Sequence, residues 1–380
     1  MKKFQLIKIL CAILLAITAS GCSANTEDKG KVQEPEDSII SGEDRDKDDE
    51  DKIDNESGEP GAPAIAIIKT DSYEKLEITD WLDSDTVVVS KENEALEKMK
   101  LAELSDSYPR SLYRFNLNTG EYTLLTEHQE FNLGGAKLSP DKKNLLYYGN
   151  SLGDLSYYVL NLESLRSFGI TSEEVGNVGS ADWADKDTVI GAGYMNGAYY
   201  ADTEGTVTVL EELDQNAVYI IKRIKDTVYF NTADNPTLMA FHASGKEITS
   251  TNLNDVFGVY PAPDENQMLV LQYSGQKQLL LLCDRDGSNA KIIAEGAELG
   301  GISWAAGRQM IAYRLKEDGG SAVAGLYVYD IVTGESTLAA EDIGDVTTCW
   351  SPSGEKLAYT QWDGKQYNSS IISFEYSLKK

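Results

Sequence analysis

Seven copies of one short pattern recur along this 380-residue chain, and this recurrence limits the fold more than any single motif does. The clearest copy spans residues 349–359, where Pro352 and the pair Ser353-Gly354 separate two stretches that favour strands. The seven copies align on the following residues: Trp81, Leu138, Trp183, Lys222, Pro261, Trp304 and Trp350.

Successive copies lie 57, 45, 39, 39, 43 and 46 residues apart. This spacing is typical of β-propeller blades, which take about 40–50 residues and four strands each. Several repeats also contain a second hairpin with a glycine turn, as at Gly120 and Gly334. The pattern therefore predicts an all-β fold, a β-propeller of seven four-stranded blades, with six or eight blades as alternatives.

The two ends of the repeat region complement each other. After the last copy, residues 370–376 supply a third strand, and the sequence stops before a fourth. The apolar residues 64–68 precede the first copy and have no neighbouring strand with which to pair. We therefore expect this N-terminal strand to complete the last blade and close the ring, so that no sheet edge is left open.

The first residues have the features of an export signal. A cationic start and a short apolar run are followed at once by residues 19–22, Ala-Ser-Gly-Cys. These four residues resemble the lipobox of bacterial lipoproteins, and the resemblance implies that Cys22 carries acyl chains such as palmitate after residues 1–21 are removed. Simple signal cleavage with an incidental Cys22 remains the alternative.

Residues 22–62 are predicted to be a disordered acidic tether. From residue 23 to residue 62 there are 15 acidic and 5 basic residues and no aromatic residue, too few apolar groups to offset the entropy of folding. We expect a monomer held on the extracytoplasmic face of the cell membrane by its lipid, with the propeller in residues 63–380. The net charge of −28 over the whole chain excludes nucleic acid as a partner.

The chain offers little for catalysis. Residues 149–153 match the pattern G-x-S-x-G, but a strand and not a helix follows, so Ser151 is not expected to be a nucleophile. The two histidines, His128 and His242, and the absence of a C-x-x-C pair give no zinc site, and Cys283 and Cys349 are expected to be free thiols. We therefore expect no catalytic residue, metal or cofactor.

Two of the copies carry a family resemblance. Residues 138–147 contain Leu-Ser-Pro-Asp, and residues 350–359 contain Trp-Ser-Pro-Ser-Gly followed by Leu-Ala-Tyr. These copies resemble the TolB-like family of WD-type propeller repeats. The resemblance implies an extracytoplasmic propeller that docks partners through loops on one face or through its central channel.

Candidate binding residues are those that do not repeat. Residues 92–104 form an insertion predicted to be a short helix, and it contributes Glu92 and Lys98. Trp362, Asp363 and Tyr367 lie in or beside a predicted turn, whereas the repeated tryptophans are expected to pack between blades. The sequence thus favours a non-catalytic scaffold for a protein or cell-envelope ligand. A propeller enzyme acting on polysaccharide or glycan, as a lyase or hydrolase, is the alternative.

Overall fold

The computed structural model describes residues 65–100, 106–151, 154–171, 178–193, 197–213, 217–307, 309–317 and 323–376. These residues form seven antiparallel sheets of four strands each, which confirms the predicted seven-bladed β-propeller. Cys22 and the remainder of residues 1–64 lie outside the described residues.

Six blades are continuous in sequence. Blade 1 consists of β2 (Glu77–Trp81), β3 (Thr86–Glu92), β4 (Arg110–Asn116) and β5 (Tyr122–Thr126). Blade 2 consists of β6 (Asn132–Leu138), β7 (Asn144–Ser151), β8 (Asp154–Asn161) and β9 (Ser167–Gly169). Blade 3 consists of β10 (Val178–Trp183), β11 (Thr188–Gly193), β12 (Ala198–Asp202) and β13 (Val207–Val209), which a 3₁₀ turn, Glu211–Leu213, follows.

The next three blades have the same order of strands. Blade 4 consists of β14 (Val218–Ile224), β15 (Thr227–Thr232), β16 (Asn235–His242) and β17 (Glu247–Ser250). Blade 5 consists of β18 (Val256–Pro261), β19 (Gln267–Ser274), β20 (Lys277–Asp284) and β21 (Lys291–Gly296). Blade 6 consists of β22 (Glu298–Trp304), β23 (Met310–Lys316), β24 (Gly325–Asp330) and β25 (Glu335–Glu341).

Blade 7 is assembled from both ends of the repeat region. It consists of β26 (Val346–Trp350), β27 (Lys356–Trp362), β28 (Tyr367–Tyr376) and, as its outermost strand, β1 (Ile65–Glu74). The pairing of β1 with β28 runs from Ile65 opposite Tyr376 to Glu74 opposite Asn368. The predicted closure of the ring by an N-terminal strand is therefore confirmed.

The core is divided among the contacts between blades. The described residues form seven buried apolar clusters, and each joins two neighbouring blades, including one that joins blade 7 to blade 1. The first strand of each blade lines the central channel of such a ring. We call the face on which these inner strands begin the entry face, and the face on which they end the exit face. Second strands end and third strands begin at the entry face.

The recurring tryptophans join neighbouring blades, as predicted. Each ends an inner strand and points toward the preceding blade. The indole Nε1 of Trp81 donates to the carbonyl of Cys349 at 3.2 Å, that of Trp183 to Lys137 at 3.0 Å, and that of Trp304 to Tyr260 at 3.0 Å. In blade 7 the Nε1 of Trp350 is buried and has no partner among the described residues.

Two sequence predictions require correction. Strand pairing places Arg223, and not Lys222, at the tryptophan register of blade 4, because Arg223 lies opposite Val228 as Trp183 lies opposite Val189. The alignment was off by one because the turn of blade 4 holds only two residues between its strands.

The predicted helix over residues 92–104 is also wrong, as far as the structure describes it: Glu92 ends β3, and residues 93–100 form turns and extended chain. The backbone N–H groups of Asn93 and Met99 donate to the carbonyls of Pro109 and Ser107, so they are paired across the insertion and not along a helix. Met99 is 2% exposed, which anchors the loop to the domain.

Both remaining cysteines of the repeat region are free, as predicted. Ser151 ends β7 and β8 begins at Asp154, so the G-x-S-x-G match lies at the tip of a hairpin. A nucleophile elbow needs a helix after the serine, and a strand follows here.

The closure of the ring can be tested by deleting residues 64–70. The deletion removes Ile65, which is 3% exposed in the cluster around Trp350, and leaves much of the edge of β28 unpaired. We expect the melting temperature to fall by at least about 5 °C, since large buried deletions cost about 2–5 kcal/mol. Ile68→Ala is the matched control, because Ile68 lies in the same strand and is 62% exposed. A deletion variant that melts at the parental temperature would contradict this role of β1.

Candidate functional site

The five binding residues predicted from sequence lie on the entry face of two neighbouring blades. Trp362 ends β27, Asp363 follows it and Tyr367 begins β28, all in blade 7. Glu92 ends β3 of blade 1, and Lys98 lies in the loop that follows. Blade 7 contacts blade 1 through β26, β27 and β28, so ring closure brings together residues almost 300 positions apart.

The turn of blade 7 presents an aromatic pair. Trp362 and Tyr367 are opposite each other across the hairpin, and their rings meet edge to face with centroids 4.9 Å apart. The Trp362 side chain is 54% exposed, whereas Tyr367 is half-buried. An exposed indole held by a neighbouring ring is a rigid contact surface that loses little entropy on binding.

Asp363 shapes this turn. One carboxylate oxygen accepts the backbone N–H groups of Lys365 and Gln366, both at 2.8 Å, and the other accepts the Asn368 side-chain amide at 2.7 Å. Backbone N–H groups donated by Gln366 and Lys365 lower the pKa of Asp363. The carboxylate therefore orients the Trp362 hairpin; direct contact with a ligand remains a prediction.

Arg110 connects the turn of blade 7 to blade 1. It begins β4, directly after the insertion, and lies opposite Glu92 in the pairing of β3 with β4. Its guanidinium carbon lies 4.8 Å from the ring centroid of Tyr367, within the range of a cation–π contact. The Arg110 Nε also donates to the Ser90 hydroxyl at 3.0 Å.

A buried ion pair lies beneath this surface, near the mouth of the channel. Arg110 Nη2 is 3.5 Å from Glu77 Oε2, and the two side chains are only 14% and 12% exposed. Burial raises the pKa of Glu77, although Arg110 and a backbone N–H from Gly135 oppose that rise. Burial likewise lowers the pKa of Arg110. Buried charged groups with displaced pKa values in a cleft often mark functional sites.

Tyr148 of β7 completes the cluster. A Cβ built on Gly134 would lie 3.4 Å from both the Glu77 carboxylate and the Tyr148 hydroxyl, so the two groups converge on this backbone position. Gly135 has a φ of +57°, and a Cβ there would lie 2.1 Å from the Tyr148 ring. Glycine is therefore required at residue 135, and burial raises the pKa of Tyr148 above its usual range.

The insertion borders the site with charged side chains. Glu92 and Lys98 are both exposed, and the Lys98 ammonium lies 5.7 Å from the ring centroid of Tyr108. Asn93 fixes the base of the loop, because its amide donates to the Ser111 hydroxyl and, at 2.8 Å, to Glu127. Residues 101–105 of the insertion are outside the described residues.

A second group of charges lies one position before the tryptophan register, toward the exit face. Asp80, Lys137, Asp182 and Lys222 occupy equivalent positions on the inner strands of blades 1 to 4. Lys137 and Lys222 both pair with the same oxygen of Asp182, Lys137 at 3.2 Å. Burial would raise the pKa of Asp182, but the two ammonium groups outweigh it and hold that pKa well below its usual range. Lys137, Asp182 and Lys222 thus form an ion network that joins blades 2, 3 and 4.

Sequence reasoning missed Glu77, Arg110 and Tyr148. The one signal for Glu77 is a carboxylate between the apolar residues Leu76 and Ile78, where an inner strand begins. Arg110 and Tyr148 are at ordinary strand positions, and only the fold brings them to Glu77.

Within the described ranges, there is no cluster of three or more His, Cys, Asp or Glu arranged to hold a metal ion. No helix in that same part of the chain has the length and apolar character needed to cross a membrane.

The buried state of Glu77 can be tested by comparing the parent protein with Glu77→Gln. Because the folded pKa of Glu77 lies above its ordinary value of 4.5, the native state binds more protons than the unfolded state between these two pKa values. The free energy of unfolding of the parent, relative to the variant, should therefore fall as the pH rises from 4.5 through the folded pKa. Denaturant titrations of both proteins at several pH values would measure this difference. A difference that does not change with pH, or that grows with it, would refute the raised pKa.

The fold is similar to that of several solved structures. An oligogalacturonate lyase in complex with manganese matches with a TM-score of 0.58 and 12% identity, over 82% of this chain and 97% of that one. An oligogalacturonate lyase from Vibrio parahaemolyticus matches with a TM-score of 0.56 and 14% identity, over 80% and 98% of the two chains. The β-propeller domain of the Trilobed protease from Pyrococcus furiosus gives a TM-score of 0.54 and 14% identity, over 80% and 95%.

No protein-family model and no curated protein matches this chain. At identities of 12–14%, the structural matches show the β-propeller fold and leave activity open. The propeller part of the resemblance noted in the sequence is confirmed, and membership of a TolB-like lipoprotein family stays a prediction.

Proposed function

We propose that this protein is a non-catalytic, membrane-anchored, extracytoplasmic β-propeller that binds a protein or cell-envelope ligand through its entry face. The observation that carries the proposal is the surface formed by Trp362, Tyr367, Arg110 and Glu92 where blade 7 meets blade 1. Each of these residues begins or ends a strand at the entry face, away from the recurring turn after the inner strands.

The distribution of exposed aromatic side chains supports this face. Of the four exposed aromatic residues in the described part of the chain, Tyr122 lies on an outer strand, whereas Tyr219, Tyr273 and Trp362 lie on the entry face. Tyr273 also stacks on Phe257, with ring centroids 4.3 Å apart. Tryptophan, tyrosine and arginine supply most of the binding free energy in protein interfaces. Aromatic rings also stack on sugars, which leaves an envelope glycan open as the ligand.

The membrane part of the proposal rests on the sequence of residues 1–62. A lipid on Cys22 followed by a long acidic segment would hold the propeller at a distance from an anionic membrane surface. The protein proposed here is a monomer that meets its partner through the entry face.

One observation favours the alternative, a propeller enzyme acting on polysaccharide or glycan. Glu77, Arg110 and Tyr148 bring a carboxyl of raised pKa, a guanidinium and a phenol to one buried place near the channel mouth. A carboxyl of raised pKa is suited to general acid or base chemistry, and a guanidinium is suited to binding the carboxylate of an acidic sugar. We prefer the binding function because Glu77 and Arg110 are paired with each other. Each charge is therefore already compensated within the protein.

The binding function predicts that Trp362 dominates recognition. Capture from cell-envelope extracts on the immobilised protein, beside a glycan panel, would identify the ligand. Trp362→Ala should then weaken its affinity by at least about 10-fold, the loss of a hot-spot contact. Val332→Ala is the control, because Val332 is 75% exposed in a turn on the exit face.

Equal losses in the two variants, or no loss in Trp362→Ala, would rule out the Trp362 surface as the binding site. Turnover of any glycan that is abolished by Glu77→Gln and retained in Trp362→Ala would favour the enzyme instead.

Membrane anchoring predicts that Cys22 is acylated. Cys22→Ala should abolish incorporation of labelled palmitate and move the protein from the membrane fraction to the soluble fraction, since acyl chains supply the binding free energy. Ser23→Ala, one residue further on, should leave both unchanged. If Cys22→Ala incorporates no labelled palmitate and still stays in the membrane fraction, lipid anchoring at this residue is contradicted.

A further inference from the structure

Blade 4 lacks the tryptophan contact to the preceding blade that was described above. Arg223 occupies the register at which blades 1, 3, 6 and 7 carry tryptophan. An indole at this position would point toward blade 3 and the backbone carbonyl of Asp182, by analogy with Trp183 and Lys137. The Arg223 guanidinium instead pairs with the Asp185 carboxylate of blade 3 at 2.8 Å, and its Nε donates to the carbonyl of Lys225.

A cavity of about 400 Å³ lies at this contact between blades 3 and 4. It is lined by Thr188, Tyr200, Arg223, Asp226 and Ala243. Thr188 begins β11, Asp226 lies in the turn before β15 and Ala243 follows β16, so the cavity belongs to the exit face, opposite the aromatic surface described above. Its volume is within the range of cavities that bind small molecules or single side chains.

The register of the strands shows which positions of blade 7 correspond to the blade 3 lining of this cavity. Thr188 holds the position in blade 3 that Lys356 holds in blade 7, and the Lys356 ammonium lies 5.9 Å from the ring centroid of Trp81. Tyr200 holds the position of Ile371, which packs in the same buried cluster as Trp81. The blade 3 wall of the cavity is thus the surface that in blade 7 covers an indole.

The lining groups match a planar aromatic ligand with a hydrogen-bond donor. The Tyr200 ring offers an aromatic surface, and the guanidinium of Arg223 can stack on a ring. The Thr188 hydroxyl and the Asp226 carboxylate can accept from an N–H group. Among the lining residues the charged groups are Arg223 and Asp226, and Arg223 is already paired with the Asp185 carboxylate, so an anionic ligand is disfavoured.

We propose that the cavity between blades 3 and 4 binds a small neutral or cationic indole, such as an indole amine. This site is distinct from the entry face and does not rest on the function proposed for that face. The geometry that carries it is the cavity beside Arg223, at the register where four blades carry tryptophan. Blades 2 and 5 also lack tryptophan there and carry Leu138 and Pro261.

Tryptamine is the probe, and calorimetry with ligand-observed NMR on the full-chain protein is the measurement. We expect saturable binding of tryptamine and at least about 10-fold weaker binding of indole-3-acetate, because its carboxylate meets Asp185 and Asp226. Arg223→Trp should fill the cavity with the protein's own indole and weaken tryptamine at least about 10-fold, while the melting temperature stays equal or rises. Arg166→Trp, the same change at an exposed turn of blade 2, should leave binding unchanged.

Tyr200→Leu keeps the apolar volume and removes the ring, so it provides a second test if Arg223→Trp lowers the melting temperature. It should weaken tryptamine without loss of the folded state. The proposal is overturned if the parent protein does not bind tryptamine, if indole-3-acetate binds equally well, or if the folded variants at Arg223 and Tyr200 bind as the parent does.

Discussion

The contact between the end of one inner strand and the inner strand of the preceding blade determines much else in this ring. The indoles of Trp81, Trp183 and Trp304 each pack on the neighbouring blade and donate to a backbone carbonyl there. The indole N–H of Trp350 is buried and has no partner among the described residues. Repetition of this contact aligns the inner strands at one height. The residues one position earlier consequently face each other, which is why Lys137 and Lys222 can share the carboxylate of Asp182 across three blades.

Closure of the ring shapes the entry-face site directly. The chain passes from β1, the outermost strand of blade 7, to β2, the innermost strand of blade 1, through Lys75 and Leu76 alone. Hydroxyl groups of blade 7 hold this passage: Ser369 donates to the carbonyl of Leu76 and accepts the N–H of Ile78. Glu77 lies between these two residues. The same strand pairing that removes an open edge therefore positions the carboxylate of the buried ion pair.

The sequence was sufficient for the fold because a propeller is specified by signals that recur. Turn residues and the spacing of the copies were enough to predict seven blades and the closing strand. The error at Lys222 arose where the copy lacks tryptophan and its turn is short, so that nothing local fixed the alignment. The helix predicted for residues 92–104 is wrong because the residue types favour a helix, whereas tertiary contacts hold the segment as a loop. These contacts are the backbone hydrogen bonds to Ser107 and Pro109 and the burial of Met99.

The site was only partly predictable, for a physical reason. Trp362 and Tyr367 could be selected because they border a hairpin turn outside the recurring pattern. Glu77 and Arg110 are 33 residues apart in sequence, and the insertion separates them. Their pairing also depends on the irregular stretch of β6 at Gly134 and Gly135, which leaves room for Tyr148. A similar irregularity recurs in β22 at Gly300 and Gly301, so the bulge by itself does not identify the site.

Departures from the repeat carry an energetic cost that a ring of seven blades can tolerate. Loss of a buried tryptophan costs about 3–5 kcal/mol, whereas a partly exposed pair such as Arg223 with Asp185 contributes about 0–1 kcal/mol. The contact between blades 3 and 4 is therefore weaker than those with an indole. The other six clusters and the β1–β28 pairing hold the ring together regardless of this one contact. A repeated fold can in this way give up one packing contact to a cavity without losing the ring.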